Sequence, residues 1–370
     1  MRKPPKPALT YTATALAVGL AMTACGGGTS EGQAIDESGE LVVEDEVIAS
    51  AELLEAALDE GSVNVYTSLN EVSNDAIASA FEEDTGISVS GVRTPTGRLH
   101  ERIRTEAGGG NLAADIIAMP DESLWQELVE SGLFGAHEVP SHDLIPEEFT
   151  SPDGLYYALN SAPTVIAYNT EVIDPDEAPT SWRDLPEVGR QGHEIGVVHA
   201  SQGAGGWGLA LFMRQAFGEG YWEELAESGP VLESSVGALA ERLGRGEIAV
   251  AAARVPEVGG LQEQGAPVEF VWPSDGTPTF NFYIAQVAEA DHPNAAQVYL
   301  NWAMSKRGQS VVSQEGLDFP VHPEATTAEI NGEQLPTIDE VDVVTAASED
   351  WISLRDDWIA EWNGVFGYRQ

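Results

Sequence analysis

Apolar positions along this chain switch between two spacings, and the switching lays out its elements. Between residues 48 and 58 they recur at helical intervals until Asp59-Glu60-Gly61 ends the run. Residues 63–66 then alternate as a short strand. Residues 74–84 return to the helical period with Ile77, Ala80 and Phe81 on one face, and 87–92 read as a strand again. A helix over 99–107, a continuous apolar strand at 114–118 and a helix over 122–130 extend the alternation. This βαβα succession predicts a parallel sheet with helices on both faces. Solutes in such sheets sit beyond the carboxyl ends of the strands, so the loops that follow strands are the places to look for a site.

Residues 156–169 form a long extended apolar passage, followed by a turn-rich stretch with Pro175, Pro179 and Pro186. A second set comes next: a strand at 195–198, helices at 206–217 and 235–242, and strands at 247–252 and 268–272. Residues 280–288 are extended, and helices follow at 295–304 and 351–362. There is no repeat of fixed period. The order predicts an α/β fold of two lobes, each a mixed, mostly parallel sheet flanked by helices. Lobe 1 is expected at 47–166 and 284–370 and lobe 2 at 167–283, with the two extended passages as hinges.

The start of the chain has a different pattern. Arg2, Lys3 and Lys6 precede a mostly apolar run at 8–21, and Met22-Thr23-Ala24-Cys25 closes it on the only cysteine in the sequence. That is the layout of a bacterial lipoprotein signal, although Leu is the usual residue where Met22 stands. The run is too short, and too rich in Thr and Gly, for a membrane span of about 20 apolar residues. Residues 1–24 are expected to be removed, leaving Cys25 to carry a diacylglyceryl group that holds the protein on the bilayer. Residues 25–46, acidic and without aromatics, are expected as a flexible tether. An ordinary secretory signal and a buried structural cysteine are the other readings of these residues.

Charge narrows the class of partner. Asp and Glu number 61 against 17 Lys and Arg, a formal net charge of −44, and Lys306 is the one lysine beyond the signal. Such a surface repels phosphate backbones and anionic headgroups, so no nucleic-acid partner is expected. It suits a protein facing concentrated salt, where self-repulsion is screened; a polycation partner is the alternative. With no disulfide to form, the chain depends on a hydrophobic core, and its 42% hydrophobic content can supply one.

Six short segments carry a resemblance. Val63-Asn64-Val65-Tyr66-Thr67-Ser68-Leu69-Asn70, Thr94-Pro95-Thr96-Gly97-Arg98-Leu99, Val165-Ile166-Ala167-Tyr168-Asn169-Thr170, Gly246-Glu247-Ile248, Asp275-Gly276-Thr277-Pro278 and His292-Pro293-Asn294-Ala295-Ala296 stand in the order seen in the ferric-iron-type extracellular solute-binding proteins. The chain resembles that family over nearly everything after residue 47. The resemblance implies a class II periplasmic-binding-protein fold and the monomeric receptor of an ABC importer. Its two lobes would close on a small-molecule solute and deliver it to a membrane permease, with no reaction and no cofactor. In the iron binders it implies ferric ligation by a His, a Glu and two adjacent tyrosines, and the matching positions here are Asn70, Pro120, Pro256 and Glu257. The expected residue is absent at all four, and Asn and Pro cannot supply the anionic oxygens that ferric ion needs. The alternative is iron(III), or an iron chelate, held by a displaced set drawn from Tyr66, Tyr168, Glu257 and Tyr283.

The candidate loops offer donors instead. Ser68 and Asn70 follow one strand, and Thr94, Thr96 and Gly97 stand before one helix. Ser201, Gln202 and Gly203 stand before another. Helix N-termini favour anions. Arg93 and Arg254 lie at strand ends where a guanidinium could grip an oxyanion with two parallel bonds, or could equally be surface ion pairs. Trp207, Trp272 and Tyr283 are candidates for stacking on an organic solute, or for the core. Together these residues predict a solute with a phosphonate, phosphate ester or carboxylate, bound between Thr96-Gly97 and Ser201-Gln202-Gly203. An enzyme, such as a lipid-anchored hydrolase, is the second class. Gly203-Ala204-Gly205-Gly206-Trp207-Gly208 lacks the spacing of a dinucleotide loop, no nucleophile elbow or phosphate loop occurs, and His137 and His142 are poorly spaced for zinc.

Two outcomes are expected from this reading. Mass spectrometry of membrane-derived protein should find a mature chain beginning at a diacylated Cys25, and Cys25→Ala should release it from the membrane; an unmodified N-terminus contradicts this. At constant ligand, Tm should rise between about 0.1 M and about 1 M salt, because carboxylate repulsion reaches about 10 Å at the first and about 3 Å at the second. A flat or falling Tm contradicts the salt-adapted reading.

Overall fold

The computed structural model describes residues 33–368, so the expected signal over residues 1–24 and Cys25 lie outside the described residues. The first elements are an antiparallel three-stranded sheet, β1 (Gln33–Ile35), β2 (Leu41–Val43) and β3 (Glu46–Ala49). Over residues 33–46 this differs from the expected tether, whose residues 25–32 lie outside the described residues. Leu41 and Val43 are buried, and Glu46 accepts a hydrogen bond from the Lys306 N–H at 2.7 Å and lies 3.1 Å from His322. These contacts are with residues remote in sequence, so the local composition gave no sign of them.

The alternating elements then follow: α1 (Ala51–Glu60), β4 (Ser62–Thr67), α2 (Glu71–Thr85), β5 (Ser88–Arg93), α3 (Thr96–Gly108), β6 (Ile116–Pro120) and α4 (Glu122–Glu130). Helix α1 begins at Ala51 because the Ser50 side chain caps it, accepting from the Leu53 N–H, and it ends at Gly61 with φ of +76°. The long strand β7 (Tyr157–Asn169) leads through α5 (Leu185–Arg190) to β8 (Ile195–Val198), α6 (Gly203–Phe217) and α7 (Tyr221–Glu227). Next come β9 (Val231–Glu233), α8 (Val236–Gly244), β10 (Val250–Arg254), α9 (Val255–Glu263), β11 (Val268–Val271) and β12 (Thr277–Gln286). Helices α10 (Pro293–Ala303) and α11 (Lys306–Gly316) precede a hairpin of β13 (Glu329–Ile330) and β14 (Glu333–Gln334). Strand β15 (Val343–Thr345) and helices α12 (Ser348–Ser353) and α13 (Arg355–Val365) close the described chain.

The main sheet runs β5-β4-β6-β12-β7-β10-β8-β9, with β11 beside β7 and β15 beside β12. Strands β4, β5 and β6 are mutually parallel, as are β8, β9 and β10; β7 runs antiparallel to β10, β11 and β12, and β12 runs antiparallel to β6 and β7 but parallel to β15. Strand β7 changes partner along its length. Residues 157–163 pair with β12, and 164–168 pair with β10. The two parallel sets therefore meet at residue 163 of this strand, three residues before the expected boundary at 166.

The C-terminal segment also departs from expectation. The expectation for residues 284–370 is lobe 1, yet α13 packs on α6 and α7, placing Trp362 at 5.2 Å and Trp358 at 6.0 Å from the Trp222 ring. Trp207 Nε1 donates to the Trp351 carbonyl at 3.0 Å, and Arg214 pairs with Glu361 at 2.8 Å. Burial of these indoles against helices of the second set decides the position of the segment.

Candidate functional site

Parallel strands bring their carboxyl ends to one edge, and on lobe 1 this assembles the loops after β4 and β5. Thr67 is buried, and its Oγ1 accepts from the Leu69 N–H at 3.1 Å. The Ser68 N–H donates to the Ala118 carbonyl and the Thr94 N–H to the Thr67 carbonyl, both at 3.1 Å. These bonds lock the loops together. Thr96 Oγ1 donates to Ser68 Oγ at 3.2 Å, and Arg93 Nε donates to the Leu69 carbonyl at 2.8 Å, with the rest of its exposed side chain without a partner among the described residues. Ser68, Arg93, Thr94, Thr96 and Gly97 thus form one group. Pro95 stands at the N-cap of α3 and provides no side-chain cap, which leaves first-turn N–H groups open to a ligand. Asn70 is next to this group, but its amide is engaged locally: it caps α2 by accepting from the Ser73 N–H at 2.9 Å and donates to Ser73 Oγ at 2.8 Å.

On the other lobe the loop after β8 has the same form. His199 is buried, and its Nδ1 accepts from the Ser201 N–H at 3.1 Å and lies 2.8 Å from Ser201 Oγ. Burial lowers the His199 pKa, which agrees with a neutral ring whose Nδ1 is an acceptor. The ring shapes the loop. Gln202 Nε2 donates to Ser201 Oγ at 3.2 Å and offers no cap to α6, so the first turn of α6, from Gly203 at φ of +71°, is open like that of α3.

Of the two readings of Arg254, the structure shows the ion pair, though within the fold and not on the surface. Its Nη2 donates to Asp318 Oδ1 at 2.6 Å, and its guanidinium lies 5.4 Å from the centre of the Phe280 ring. Phe280 in turn lies against Gly205, where an added Cβ would sit 3.4 Å from the Phe280 ring, so Arg254 and the start of α6 are neighbours across one ring. Burial works against the Arg254 charge, and Asp318 and then Glu257 more than offset it. Burial also pushes the Asp318 carboxyl above its ordinary value, with Arg254 opposing. The arginine is charged, but its charge is already paired. Asp318 and its hydrogen-bond donor Asn160 were missed by the sequence reading, since Asp318 follows α11, which the pattern does not mark, and Asn160 sits inside the long apolar strand β7. Only the topology brings them here.

The aromatic candidates belong mostly to the core. Trp207 is fully buried, Trp272 stacks on Phe319 at 5.4 Å, and Tyr283 sits between Trp125 and Tyr156 at 5.7 and 5.4 Å. Tyr283 lines a small cavity with Asp121, Glu122, Phe280, Asn281 and Trp351. Burial raises the phenol pKa of Tyr66, Tyr168 and Tyr283, which disfavours the phenolates that ferric ion would need. Among the described residues, no three His, Cys, Asp or Glu side chains are grouped to hold a metal ion. A larger hollow, edged by Gly108, Asn111, Ser131 and Ala288, lies at the amino end of β6, opposite the donor loops.

Comparison with known proteins bears on this geometry. Residues 66–310 match the bacterial extracellular solute-binding protein family. Iron uptake protein A1 of Synechocystis sp. is 24% identical over 285 residues, which is 71% of this chain and 76% of that protein. Iron-bound HitA from Pseudomonas aeruginosa aligns with a TM-score of 0.68 and 19% identity, over 82% of this chain and all but 1% of that one, covering 99%. The periplasmic binding protein AfuA from Actinobacillus pleuropneumoniae, solved with fructose-6-phosphate, aligns with a TM-score of 0.68 and 22% identity, over 84% and 100% of the two chains. At these identities the structural likeness speaks for fold alone, and the fold is the two-lobed class II periplasmic-binding-protein fold expected from the sequence.

Glu122, at the edge of the small cavity, generates a pH prediction. Burial pushes its carboxyl above the ordinary 4.5, hydrogen bonds from Ser348 and Tyr283 oppose the shift, and Asp121 adds to it. A carboxyl with a raised folded pKa leaves stability intact below its unfolded pKa and withdraws it as pH rises through the folded value. Glu122→Gln is therefore expected to raise Tm relative to the parent at about pH 8 and to lose that advantage near about pH 3. An advantage independent of pH, or a loss at the higher pH, contradicts the assignment.

Proposed function

The chain belongs to the bacterial extracellular solute-binding protein family, and on that premise we propose that it is an ABC-importer receptor for a small organic solute carrying an oxyanion. The observation that supports this most is the pair of open helix starts at the carboxyl ends of parallel strands. One is Thr96-Gly97, with Ser68 and Arg93 beside it, and the other is Ser201-Gln202-Gly203. Each supplies N–H and hydroxyl donors, and a phosphonate, phosphate ester or carboxylate bridging them would satisfy both. Among the described residues Arg93 has no ion-pair partner, and its charge is open to the solute. Arg254, paired with Asp318, is a lesser contributor of charge.

A solute held by both lobes favours the closed arrangement by its greater affinity for it, and β7 and β12 are the passages that take up the rotation. The closed shape is what the permease recognises. This is binding without chemistry. In this proposal the receptor is anchored through Cys25 on the outer face of the cell membrane, and its acidic surface is an adaptation to salt.

A second reading is favoured by the relatives. Iron uptake protein A1 and iron-bound HitA carry iron in their names, and a Trichodesmium protein solved with iron and citrate ligands aligns with a TM-score of 0.67 at 19% identity, over 84% of this chain and 100% of that one. A chelator would bring its own oxygens to the metal, which Asn70, Pro120 and Pro256 do not supply, and its carboxylates would suit the same donors.

Calorimetry with a phosphonate, a phosphate ester, a carboxylate, ferric citrate and ferric ion alone separates the two. Binding of an oxyanion without metal, weakened about tenfold to a hundredfold by Arg93→Ala, is expected, because charge-assisted bonds contribute roughly 1.5–3 kcal/mol. Unchanged binding in Arg93→Ala, or binding of an uncharged sugar alone, overturns the oxyanion reading. Tight binding of ferric ion alone with a tyrosinate charge-transfer band overturns it in favour of iron.

A further inference from the structure

The pairing of Arg254 with Asp318 leaves a negative charge and unused acceptors beside it. Both Asp318 oxygens are taken, Oδ1 by Arg254 Nη2 at 2.6 Å and Oδ2 by Asn160 Nδ2 at 3.0 Å. Glu257, in the first turn of α9, is close enough to act on the charges of both Arg254 and Asp318. Its Oε2 is buried and has no hydrogen-bond partner, and the same holds for Asn160 Oδ1, on a residue only 1% exposed. One guanidinium stands with two carboxylates, so the cluster carries one unbalanced negative charge. The helix dipole of α9 eases this charge but does not satisfy the buried oxygen.

The cluster joins the two halves of the cleft. Arg254 ends β10 and Glu257 follows it on lobe 2, whereas Asp318 follows α11 on lobe 1. The Asp318 loop is held there by paired backbone bonds between Ser161 and Phe319, each 3.0 Å, and by Ser313 Oγ donating to the Asp318 carbonyl at 2.8 Å. Phe280 links the cluster to the open start of α6. The molecule thus places donors at the two helix starts and acceptors at the point where the lobes meet. Arg254 Nε, also buried and unpartnered, is one further donor between them.

We infer that the solute is a zwitterion, its oxyanion on the helix starts and an ammonium group on Glu257 Oε2, with Asn160 Oδ1 as the second acceptor. This rests on the oxyanion reading proposed above. An ammonium offers three N–H donors and one positive charge, so it satisfies the orphaned acceptors and brings the cluster to neutrality. A simple anion would leave Glu257 buried and unpaired in the closed state, which selects against it.

The test is calorimetry on matched probes that differ only by an amino group, aminoethylphosphonate against ethylphosphonate and aminobutyrate against butyrate. The wild-type protein is expected to bind the aminated member of a pair at least about tenfold more tightly. Glu257→Gln, checked for an unchanged Tm profile, should abolish that preference, weakening the aminated member and strengthening the unaminated one, which no longer leaves a buried carboxylate unpaired. Equal binding of both members by wild type, or a preference that survives in Glu257→Gln, overturns the inference and leaves the oxyanion reading standing. If no member of either pair binds, the oxyanion reading falls and the inference falls with it.

Discussion

Strand β7 is the constraint on which the rest of the structure depends. All thirteen of its residues are buried, and it spans roughly 40 Å, pairing first with β12 and then with β10 and β11. A strand buried on both faces must be apolar or internally satisfied throughout, and this one is apolar except at Asn160, Ser161, Thr164 and Asn169. Asn169 turns its amide to the Leu243 carbonyl at 2.8 Å, whereas Asn160 serves Asp318 at the crossing point. Where β7 changes partner, the two parallel sets point their carboxyl ends toward a common region. The cleft is a consequence of that exchange.

Scarce cations in an acidic chain explain how the site is charged. Most arginines are already committed within the fold: Arg307 to Asp84 at 3.1 Å, Arg355 to Asp121 at 2.7 Å, Arg214 to Glu361 and Arg254 to Asp318. Buried pairs of this kind do little for net stability, but removing one partner strands the other charge. Arg254 is therefore part of the framework between the lobes before it is a ligand contact. Among the described residues Arg93 has only a backbone carbonyl as its partner, so its charge is uncommitted within the fold.

The C-terminal segment adds a tie between the halves. Its indoles bury against α6 and α7, and on the other side Ser348 bonds to Glu122 and Arg355 reaches Asp121, a residue held at φ of +79°. A non-glycine residue in that region is strained, and it persists because the surrounding contacts over-determine it. The small cavity bounded by Glu122, Tyr283 and Trp351 lies under this tie.

Most of the fold could be read from local pattern, because periodicity and caps are local. Helix α8 begins after Ser235, and α2 ends at Gly86 with φ of +77°, as their residue types require. The donor loops were legible for the same reason, each being a short polar stretch between a strand and a helix. Pattern failed where distant residues decide the outcome. Residues 33–46 look like a tether until Lys306 and His322 meet Glu46. Arg254 reads as a free grip until Asp318, 64 residues on, takes its charge. Trp207 and Tyr283 suit a ligand until packing encloses them. The sequence by itself determined most of the strands and helices of the main sheet, though not α9 or α11, together with the acidity and the two polar helix starts, since these follow from residue type and spacing. Only the tertiary structure decided which charges cancel and which acceptors remain open, because electrostatic balance depends on neighbours that chain order does not reveal.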